Sequence, residues 1–396
     1  MISVLPGRSL TVHVSSALPK IRRPRAVWRL PRLTSVATAL PPHHVDQTDA
    51  RAFVAEMFER SLKRDASRLL AVFDNSGITS RHLCMPIEWY REQHDFAETS
   101  ARYVEHALGL ARTASERALA RAGVTPGEVT HLVFVSSTGI ATPSIDARLA
   151  QSAGFAPGVR RVPIWGLGCA GGVAGLARAA DFARTGDGAV VLLIALELCS
   201  LAFQPRDTDA RNIVATALFS DGAAAAIVTA PARTPRPTAG ATNGAPPELD
   251  VVASGSTLWP DTLDIMGWTV DAHGLHVVFS RDIPSFVRSE VRPDLERFLA
   301  SAGVPLERVD HLLFHPGGPK VLEAYADALG TAPERFRHAR DVLRRCGNMS
   351  SPTCLFVLES ALAAGELRGG DTALVAALGP GFASEYVLLR ASSGAA

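Results

Sequence analysis

The segment AGVTPGEVTHLVF at residues 122–134 recurs, with the same framework, as AGVPLERVDHLLF at residues 302–314. Each copy joins an Ala-Gly-Val turn to an apolar run that starts at His131 or His311. The offset is 180 residues in both pieces (302 − 122 and 311 − 131). Short stacked repeats need three or more units, whereas two large copies make a pseudo-twofold pair with a shared interface. The chain is therefore predicted to contain two copies of one fold.

A second correspondence follows downstream in each half. Gly168-Cys169 opens an Ala-rich helix that ends before a Gly-Asp-Gly turn and a buried strand, and Gly347-Asn348 opens a helix that ends before a Gly-Gly-Asp turn and another buried strand. The offset here is 179 residues (347 − 168). Because a twofold axis would relate equivalent positions, Cys169 and Asn348 are predicted to lie at helix N-termini that face each other. The spacing alone thus proposes an active site.

Strand and helix patterns alternate along the chain. Apolar runs predict strands at 131–135, 189–196 and 223–228, and an Ala-rich stretch predicts a helix at 170–184. Such alternation indicates an α/β sheet. The predicted divisions are a basic, disordered tail (1–32), an N-terminal half carrying Cys169 (33–230), a Pro- and Gly-rich linker (231–247) and a C-terminal half carrying His315 and Asn348 (248–396).

Composition restricts the functional classes. The 396 residues are 47% hydrophobic and 20% charged, which suits a globular protein with one large core or two fused ones. Lys plus Arg number 40 against 39 for Asp plus Glu, so a net charge of +1 offers no overall field for nucleic acid. No apolar run is long enough to cross a bilayer, and the five cysteines include no CxxC pair. We expect no nucleic-acid partner, no transmembrane segment, no metal, and reduced thiols in the cytoplasm.

Cys169 is the candidate nucleophile. Glycines on both sides of it, in WGLGCAGG at 165–172, permit a tight strand-to-helix turn that projects the thiol. At a helix N-terminus, the helix dipole and a neighbouring imidazolium are expected to lower the thiol pKa and favour a thiolate suited to attack on thioesters. The alternative is a small buried cysteine that only packs beside glycines.

Two further residues complete a possible site. His315 ends the apolar strand 311–314 and enters a Pro-Gly-Gly turn, so its ring is predicted at the carboxyl edge of a parallel strand, where α/β sheets place their sites. Asn348 has the alternative role of a simple helix N-cap. A thiolate at Cys169 would accept an acyl group while the other two residues polarise a malonyl thioester and stabilise the enolate formed as carbon dioxide leaves. This chemistry requires no metal or redox cofactor.

Residues 33–391 resemble the type III polyketide synthases, the family of the plant chalcone and stilbene synthases. The most diagnostic motifs are HPGGP, which begins at His315, and GNMSS, which contains Asn348; the family's catalytic cysteine falls on Cys169. The resemblance implies an α/β, thiolase-like fold in which two duplicated βαβαβ halves stack as an αβαβα sandwich. It also implies a homodimer, with acyl-CoA starter and malonyl-CoA as substrates and no cofactor.

The resemblance further implies residues that line a substrate cavity. LFSDGAAA at 218–225 is similar to the family segment that holds a gatekeeper Phe, here Phe219, where the CoA tunnel meets the cavity. The second gatekeeper Phe is replaced by Val277, which predicts a wider cavity mouth. Cavity positions that differ from those of plant members favour an aliphatic starter, with the segment around Thr142 reaching the partner's cavity in a dimer. The cavity and substrate residues implied are Phe219, Thr142, Cys199, Ala202, Val277, Ser350 and Gly318.

The basic residues that grip CoA phosphates in plant members are poorly matched. Arg68 and Lys320 are the replacements proposed, with solvated surface charges as the alternative.

Product class is open. STGIATP at 137–143 looks most like bacterial members that make alkylpyrones or alkylresorcinols from long-chain acyl-CoA, and ELCSL at 197–201 is similar to tetrahydroxynaphthalene synthases, which in this alternative would use malonyl-CoA only. Ketoacyl-ACP synthase III shares the three catalytic residue types but normally follows its His with Gln-Ala-Asn, which is absent here. A non-catalytic acyl-CoA-binding protein is the remaining alternative.

Overall fold

The computed structural model describes residues 30–62, 66–230 and 247–392. The predicted tail (1–32) and linker (231–247) fall outside the described residues, apart from 30–32 and 247, and stay predictions. The strands are β1 (Arg32–Ala39), β2 (His43–Asp46), β3 (Ser80–Leu83), β4 (His131–Val135), β5 (Arg160–Ile164), β6 (Val190–Leu198), β7 (Asp221–Thr229), β8 (Leu249–Leu258), β9 (Met266–Asp271), β10 (Gly274–Phe279), β11 (His311–Phe314), β12 (Thr372–Gly379) and β13 (Ala383–Ala391). The helices are α1 (Gln47–Leu62), α2 (Ala66–Asp74), α3 (Phe96–Ala122), α4 (Ile145–Ser152), α5 (Gly171–Arg184), α6 (Ala210–Leu218), α7 (Ile283–Phe286), α8 (Arg292–Ser301), α9 (Pro319–Leu329), α10 (Arg337–Cys346) and α11 (Thr353–Ala363).

One mixed sheet of nine strands runs in the order β11-β12-β13-β8-β1-β7-β6-β4-β5. In the first half, β1 pairs antiparallel with β7, β7 antiparallel with β6, and β6 parallel with β4. The second half repeats these relations with β8, β13, β12 and β11. The halves join where β1 meets β8, through the pairs Arg32–Asp250 and Leu33–Leu249. The repeated strand order is the structural counterpart of the sequence duplication.

Helices α5 and α11 occupy corresponding places in the two halves and pack against each other. Each helix contacts strands of both halves: α5 lies on β4, β6, β12 and β13, and α11 lies on β1, β7, β11 and β12. Their close approach requires glycine, because a Cβ at Gly172 would lie 2.1 Å from the Ser351 carbonyl oxygen. Gly175 serves the packing of α5 on β6 instead, since a Cβ there would lie 2.6 Å from Leu193 Cδ1. The two helices therefore form the shared middle layer expected for a stacked pair of halves.

The predicted elements of the first half are found with shifts of one to two residues at their ends: α5 begins at Gly171, and β6 extends to Leu198. One prediction for the second half is wrong. Asn348 does not open a helix, since α11 begins only at Thr353. Ser350 has a φ of +58°, which a right-handed helix does not allow, so Asn348 lies in the turn between α10 and α11. Its alternative role as a helix N-cap is therefore wrong.

Smaller elements cover one side of the sheet near the site. The β9–β10 hairpin pairs Trp268 with Val277, and helices α1, α2 and α6 pack around a separate apolar cluster that includes Phe53, Phe58 and Phe73. These elements supply the outer walls of the cavities described below. Across the described part of the chain, no helix has both the length and the apolar character needed to cross a membrane.

Candidate active site

Cys169 lies in a short 3₁₀ turn, Gly168–Ala170, immediately before α5. Gly168 has a φ of +45°, and a Cβ there would lie 2.8 Å from Pro380 Cδ, so glycine serves both the backbone conformation and the close packing of the 379–381 loop. The Ser137 hydroxyl accepts hydrogen bonds from the backbone N–H groups of Gly166 and Gly168, each at 3.1 Å. These contacts fix the turn that carries the thiol.

The surroundings of Cys169 favour a neutral thiol. Burial raises its pKa to about 11, and the nearby carboxylate of Glu197 acts in the same direction. Hydrogen bonding by the Ser350 and Asn348 side chains lowers the pKa but does not offset burial. This direction is opposite to the expected lowering of the thiol pKa, because removal from water disfavours the thiolate. The thiolate has to form as the proton is transferred during reaction.

Asn348 is held from three sides and is almost fully buried. Its backbone N–H donates to the Leu218 carbonyl at 2.9 Å, and its carbonyl accepts from the Ser220 N–H at 2.9 Å. The side-chain Nδ2 donates to the Gly317 carbonyl at 3.3 Å, and Oδ1 accepts from the Ser350 N–H at 2.8 Å. The backbone of Asn348 thus binds the end of α6. Its side chain connects its own turn with the loop that follows His315 and also contacts Cys169.

His315 follows β11 and is 3% exposed. Its backbone N–H donates to the Ala376 carbonyl at 2.8 Å, which sets the ring at the carboxyl end of the parallel pair β11–β12, as predicted. Neither ring nitrogen has a hydrogen-bond partner, an unusual state for a buried polar group. Burial lowers the pKa of His315 to about 3. The imidazole is therefore neutral, with one N–H to donate and one nitrogen to accept.

Glu197, at the end of β6, was missed by the sequence reasoning. Its carboxylate accepts from the Ser137 N–H and Thr138 Oγ1, both at 2.8 Å, and from Ser351 Oγ at 2.7 Å. Burial raises the pKa of Glu197 to about 7. An acidic residue closing an otherwise apolar strand was the available signal, because such a charge is rarely buried without a role. Glu197 ties the turn of Cys169 to the loop of Asn348.

An apolar cavity adjoins Phe219; its empty space, counted together with the part open to solvent, is about 620 Å³. It lies between α1, β3, α6 and the β9–β10 hairpin, and its walls are almost wholly apolar. Four predicted cavity residues line it: Phe219, Cys199, Ala202 and Val277. Phe219 itself forms a backbone bridge with Asn348, so the cavity begins beside the candidate catalytic residues.

The wider cavity mouth stays a prediction, but the structure places an aromatic residue beside Val277. Trp268 stands directly opposite it in the hairpin register and also lines the cavity. The indole ring lies 6.3 Å from the ring of Phe219. The aromatic ring therefore lies on β9, opposite Val277 on β10, where the sequence resemblance did not point to it.

A second space, the basic cleft, lies on the other side of α6; its empty space, counted together with the part open to solvent, is about 1800 Å³. Gly318 and Lys320 line it, as do Leu218 and Phe279. Since Leu218 faces the basic cleft and the next residue, Phe219, faces the apolar cavity, the chain separates the two spaces at this point. Arg211 and Arg281, which the sequence reasoning missed, also line the cleft. The side chain of Arg68, on α2, lies outside the described residues.

Thr142 is exposed and lines neither space of its own chain. Nearby on the surface, Ile140 and Trp165 are about half exposed, at 49% and 53%. Within residues 30–62, 66–230 and 247–392, no group of three or more His, Cys, Asp or Glu side chains is arranged to hold a metal ion.

Comparison with known proteins places this arrangement in a family. The family model for the N-terminal domain of chalcone and stilbene synthases matches residues 22–232. The model for the C-terminal domain of the same family matches residues 250–393. The 1,3,6,8-tetrahydroxynaphthalene synthase of Streptomyces peucetius subsp. caesius is 40% identical over 364 residues, covering 91% of this chain and 93% of that protein. Alpha-pyrone synthesis polyketide synthase-like Pks18 of Mycobacterium tuberculosis (strain ATCC 25618 / H37Rv) is 31% identical over 363 residues, 90% of either chain.

Solved structures agree. The crystal structure of 1,3,6,8-tetrahydroxynaphthalene synthase from Streptomyces coelicolor A3(2), a bacterial type III polyketide synthase, matches with a TM-score of 0.85 and 28% identity, over 92% of this chain and 100% of that one. PKS-I from the brown alga Ectocarpus siliculosus matches with a TM-score of 0.82 and 25% identity, over 91% of this chain and 98% of that one. The fold is α/β and thiolase-like. The chain belongs to the chalcone and stilbene synthase family: it is a type III polyketide synthase, an acyltransferase that condenses with decarboxylation.

Proposed function

We propose that the enzyme loads a long-chain fatty acyl group from CoA onto Cys169, extends it with malonyl-CoA, and closes the product to an alkylpyrone or alkylresorcinol. The observation that carries this proposal is the apolar cavity beside Phe219. Walls of this polarity suit a flexible alkyl chain, because burial of apolar surface is its main source of binding energy. Polar or charged starters gain little in it.

Loading begins from a neutral pair. As the Cys169 sulfur attacks the acyl-CoA carbonyl, its proton passes to the acceptor nitrogen of His315, and the departing CoA thiolate takes a proton in return. The S–C bond to CoA breaks as the S–C bond to Cys169 forms. Because burial disfavours both charged partners in isolation, the proton transfer and the attack proceed together rather than through a resting ion pair.

Extension uses hydrogen-bond donors on Asn348 and His315. In the proposed cycle, the thioester carbonyl of malonyl-CoA accepts hydrogen bonds from the Asn348 amide and from the His315 N–H, which stabilise the enolate left when carbon dioxide departs. The enolate carbon attacks the acyl group on Cys169, the thiolate leaves, and the lengthened chain remains on CoA. Reloading onto Cys169 allows further rounds, and cavity shape decides how the chain cyclises. The cycle uses CoA thioesters as substrates and includes no cofactor.

CoA is proposed to occupy the basic cleft. Lys320, Arg281 and Arg211 offer cations for its phosphates, since guanidinium and ammonium groups bind phosphate oxygens well. Arg211 also pairs with Asp209 at 2.9 Å, so part of its charge is already compensated. Arg281 and Lys320 are the stronger candidates for this reason. Arg68 stays a candidate on the sequence resemblance alone.

We also propose a homodimer in the cytoplasm. The exposed side chains of Ile140 and Trp165 flank the loop of Thr142, and burying such apolar surface against a second copy would stabilise the pair. This arrangement would take Thr142 to the cavity of the partner subunit.

Synthesis of 1,3,6,8-tetrahydroxynaphthalene from malonyl-CoA alone is a second candidate. It is favoured by the 40% identity to the synthase of Streptomyces peucetius subsp. caesius. This function would leave much of the apolar cavity without an alkyl occupant.

Purified enzyme with malonyl-CoA and a series of acyl-CoA starters from two to sixteen carbons tests the proposal. Turnover that increases with chain length, with alkylpyrone or alkylresorcinol masses, is the expected result. Tetrahydroxynaphthalene as the product with malonyl-CoA alone, unaffected by added starters, would establish the second candidate. Preference for malonyl-ACP over malonyl-CoA, or binding without an acyl adduct on Cys169, would contradict both.

A further inference from the structure

Helix α1 supplies one wall of the apolar cavity. Ala50, Phe53 and Val54 line the cavity from this helix, and all three are buried. Their spacing of three and four residues places them on one face of α1. Ala52 is exposed, so it lies on a different face of the same helix. The helix therefore presents a continuous apolar stripe to the cavity.

The wall formed by α1 is the inner end of the cavity. Trp268 and Val277 on the hairpin are half-buried, and the Trp268 ring lies beside Phe219, which marks the side nearest the candidate catalytic residues. By contrast, α1 belongs to an apolar cluster built with α2 and α6, in which Val54 and Phe58 are almost fully buried. A chain that enters beside Phe219 thus meets packed core at α1 rather than solvent.

The first turn of α1 is held firmly in place. Gln47 Nε2 donates to the Ser76 hydroxyl at 2.8 Å and to the Ala217 carbonyl at 3.1 Å, which ties the helix to the ends of α2 and α6. Phe73 of α2, in the same apolar cluster, is 1% exposed. Because a close-packed interior resists displacement, α1 has little freedom to retreat from the cavity. Ala50 follows Gln47 by one turn and is fixed with it.

We propose that the alkyl chain of the starter ends against α1, and that Ala50 decides the longest straight chain that can be loaded onto Cys169. The inference rests on the proposed fatty acyl starter. Up to this length, each further buried methylene group should improve loading about fourfold, because its transfer out of water is favourable. Once the chain reaches α1, a further methylene group is accommodated only by displacing packed side chains, so the gain stops.

Ala50 suits this role better than the other two α1 residues in the wall. It carries the smallest side chain of the three, so a larger residue there adds bulk to the cavity without removing an existing contact. Phe53 already packs against the Phe203 ring at 6.3 Å and carries the Arg91 guanidinium over its own ring at 5.1 Å. Val54 is fully buried, so enlarging it would strain the apolar cluster as well as the cavity.

Acylation of Cys169 by straight-chain acyl-CoAs of four to sixteen carbons, read by intact mass, tests the inference. In the unmodified enzyme the rate of acylation should rise with chain length and then level. Ala50→Leu should move the levelling point to chains shorter by about three carbons, since the larger side chain occupies the space of about that many methylene groups. Acylation by butanoyl-CoA should stay within twofold. Ala50→Val, which adds less bulk, should give a smaller shift in the same direction. Ala52→Leu makes the same change on the exposed face of α1 and is the matched control, with no shift expected.

Failure of the inference is distinguishable from failure of the proposed function. If no acyl-CoA of the series acylates Cys169 in the unmodified enzyme, both fail. If acylation occurs but its dependence on chain length is the same in Ala50→Leu and Ala50→Val as in the unmodified enzyme, the chain does not end at Ala50, and the inference alone is overturned. An equal loss of acylation at every length in both variants would overturn it in the same way, because damage to the fold does not discriminate between chain lengths.

Discussion

Glu197 accepts a hydrogen bond from Ser351 Oγ at 2.7 Å, which joins a carboxylate of the first half of the chain to a hydroxyl of the second. The same carboxylate holds Ser137, whose hydroxyl fixes the turn of Cys169. The candidate nucleophile and the loop of Asn348 are thus held in register by one buried acid. Because the carboxylate also raises the pKa of Cys169, it affects both the position and the reactivity of the thiol.

Glu197→Gln should lower the pKa of the Cys169 thiol. Removal of a nearby negative charge makes the thiolate less unfavourable, while the amide still reaches the Ser351 hydroxyl. The measurement is the rate of alkylation of Cys169 by iodoacetamide as a function of pH, which should move to lower pH by about one unit or less. Glu385→Gln is the control: it alters a buried carboxylate on β13 that accepts a hydrogen bond from Ser256 on β8, and it should leave the profile in place.

Stability should depend on pH through the same residue. Burial raises the pKa of Glu197 from 4.5 to about 7, so the folded chain binds this proton more tightly than the unfolded chain. The contribution is complete below pH 4.5 and is lost as the pH rises to about 7, on the order of 3 kcal/mol in the free energy of unfolding. Asp221, with a pKa raised to about 6, acts in the same direction as Glu197 in both proteins, whereas His315, with a pKa lowered to about 3, acts in the opposite direction in both. The decline should therefore appear as the difference in free energy of unfolding between the unmodified chain and Glu197→Gln, measured by urea unfolding between pH 4.5 and 8. An unchanged slope in the variant would contradict the assignment.

Cys169→Ala should abolish the acyl adduct and product formation while the chain remains folded, because the side chain is small and already beside glycines. Incubation with acyl-CoA followed by intact-mass measurement gives the answer directly. Cys346→Ala, at the buried end of α10, removes a different thiol and should keep the adduct. An adduct that disappears from Cys346→Ala and persists in Cys169→Ala would assign the nucleophile elsewhere.

Trp268→Ala should enlarge the cavity mouth and allow bulkier starters. The indole lies against Phe219 and opposite Val277, so its removal opens the side of the cavity closed by the hairpin. We expect kcat/KM for branched or aromatic acyl-CoA starters to rise relative to straight chains by about tenfold, equivalent to roughly 1.4 kcal/mol. Val270 is exposed on the same strand, so Val270→Ala should leave kcat/KM unchanged for both kinds of starter. Equal effects of the two variants would show that Trp268 has no special role.

Arg281→Ala should raise the KM for malonyl-CoA more than it lowers kcat, because the side chain is placed to bind phosphate rather than the reacting carbons. The decisive comparison is a malonyl thioester of N-acetylcysteamine, which lacks the nucleotide and should be insensitive to the change. Arg288→Ala removes an exposed arginine that pairs with Asp327 outside the cleft, and serves as the control. Loss of activity with both thioesters would instead indicate structural damage.

Gly172→Ala should destabilise the chain by about 1–3 kcal/mol, since the added methyl group would meet the Ser351 carbonyl oxygen where α5 and α11 touch. Gly109→Ala is the matched control: it lies on α3 with open space around its Cβ position and should stabilise the chain by about 0.5–1 kcal/mol. Thermal unfolding of both variants measures the difference. Equal stability of the two variants would mean that α5 and α11 can move apart without loss of stability.

The fold and the three candidate catalytic residues could be predicted from the sequence, whereas much of the rest of the site could not. Periodicity and the repeat at 180 residues depend on local pattern, so they predicted α5, β6 and the paired halves. Glu197 and Trp268 gave weak signals or none, because their importance comes from contacts with residues far along the chain. Asn348 was placed correctly relative to Cys169 but on the wrong local structure, since the left-handed Ser350 that delays α11 leaves no mark in the pattern.

By itself, the sequence determined that the chain is a duplicated α/β protein and which motifs carry Cys169, His315 and Asn348. These are properties of spacing and residue type, which persist along the chain whatever its surroundings. Only the tertiary structure decided that burial disfavours the charged forms of both the thiol and the imidazole, that Trp268 lies opposite Val277, and that Leu218 and Phe219 face different cavities. Burial, cavity shape and proton affinity arise from atoms brought together by folding, and these determine which acyl chain the enzyme accepts.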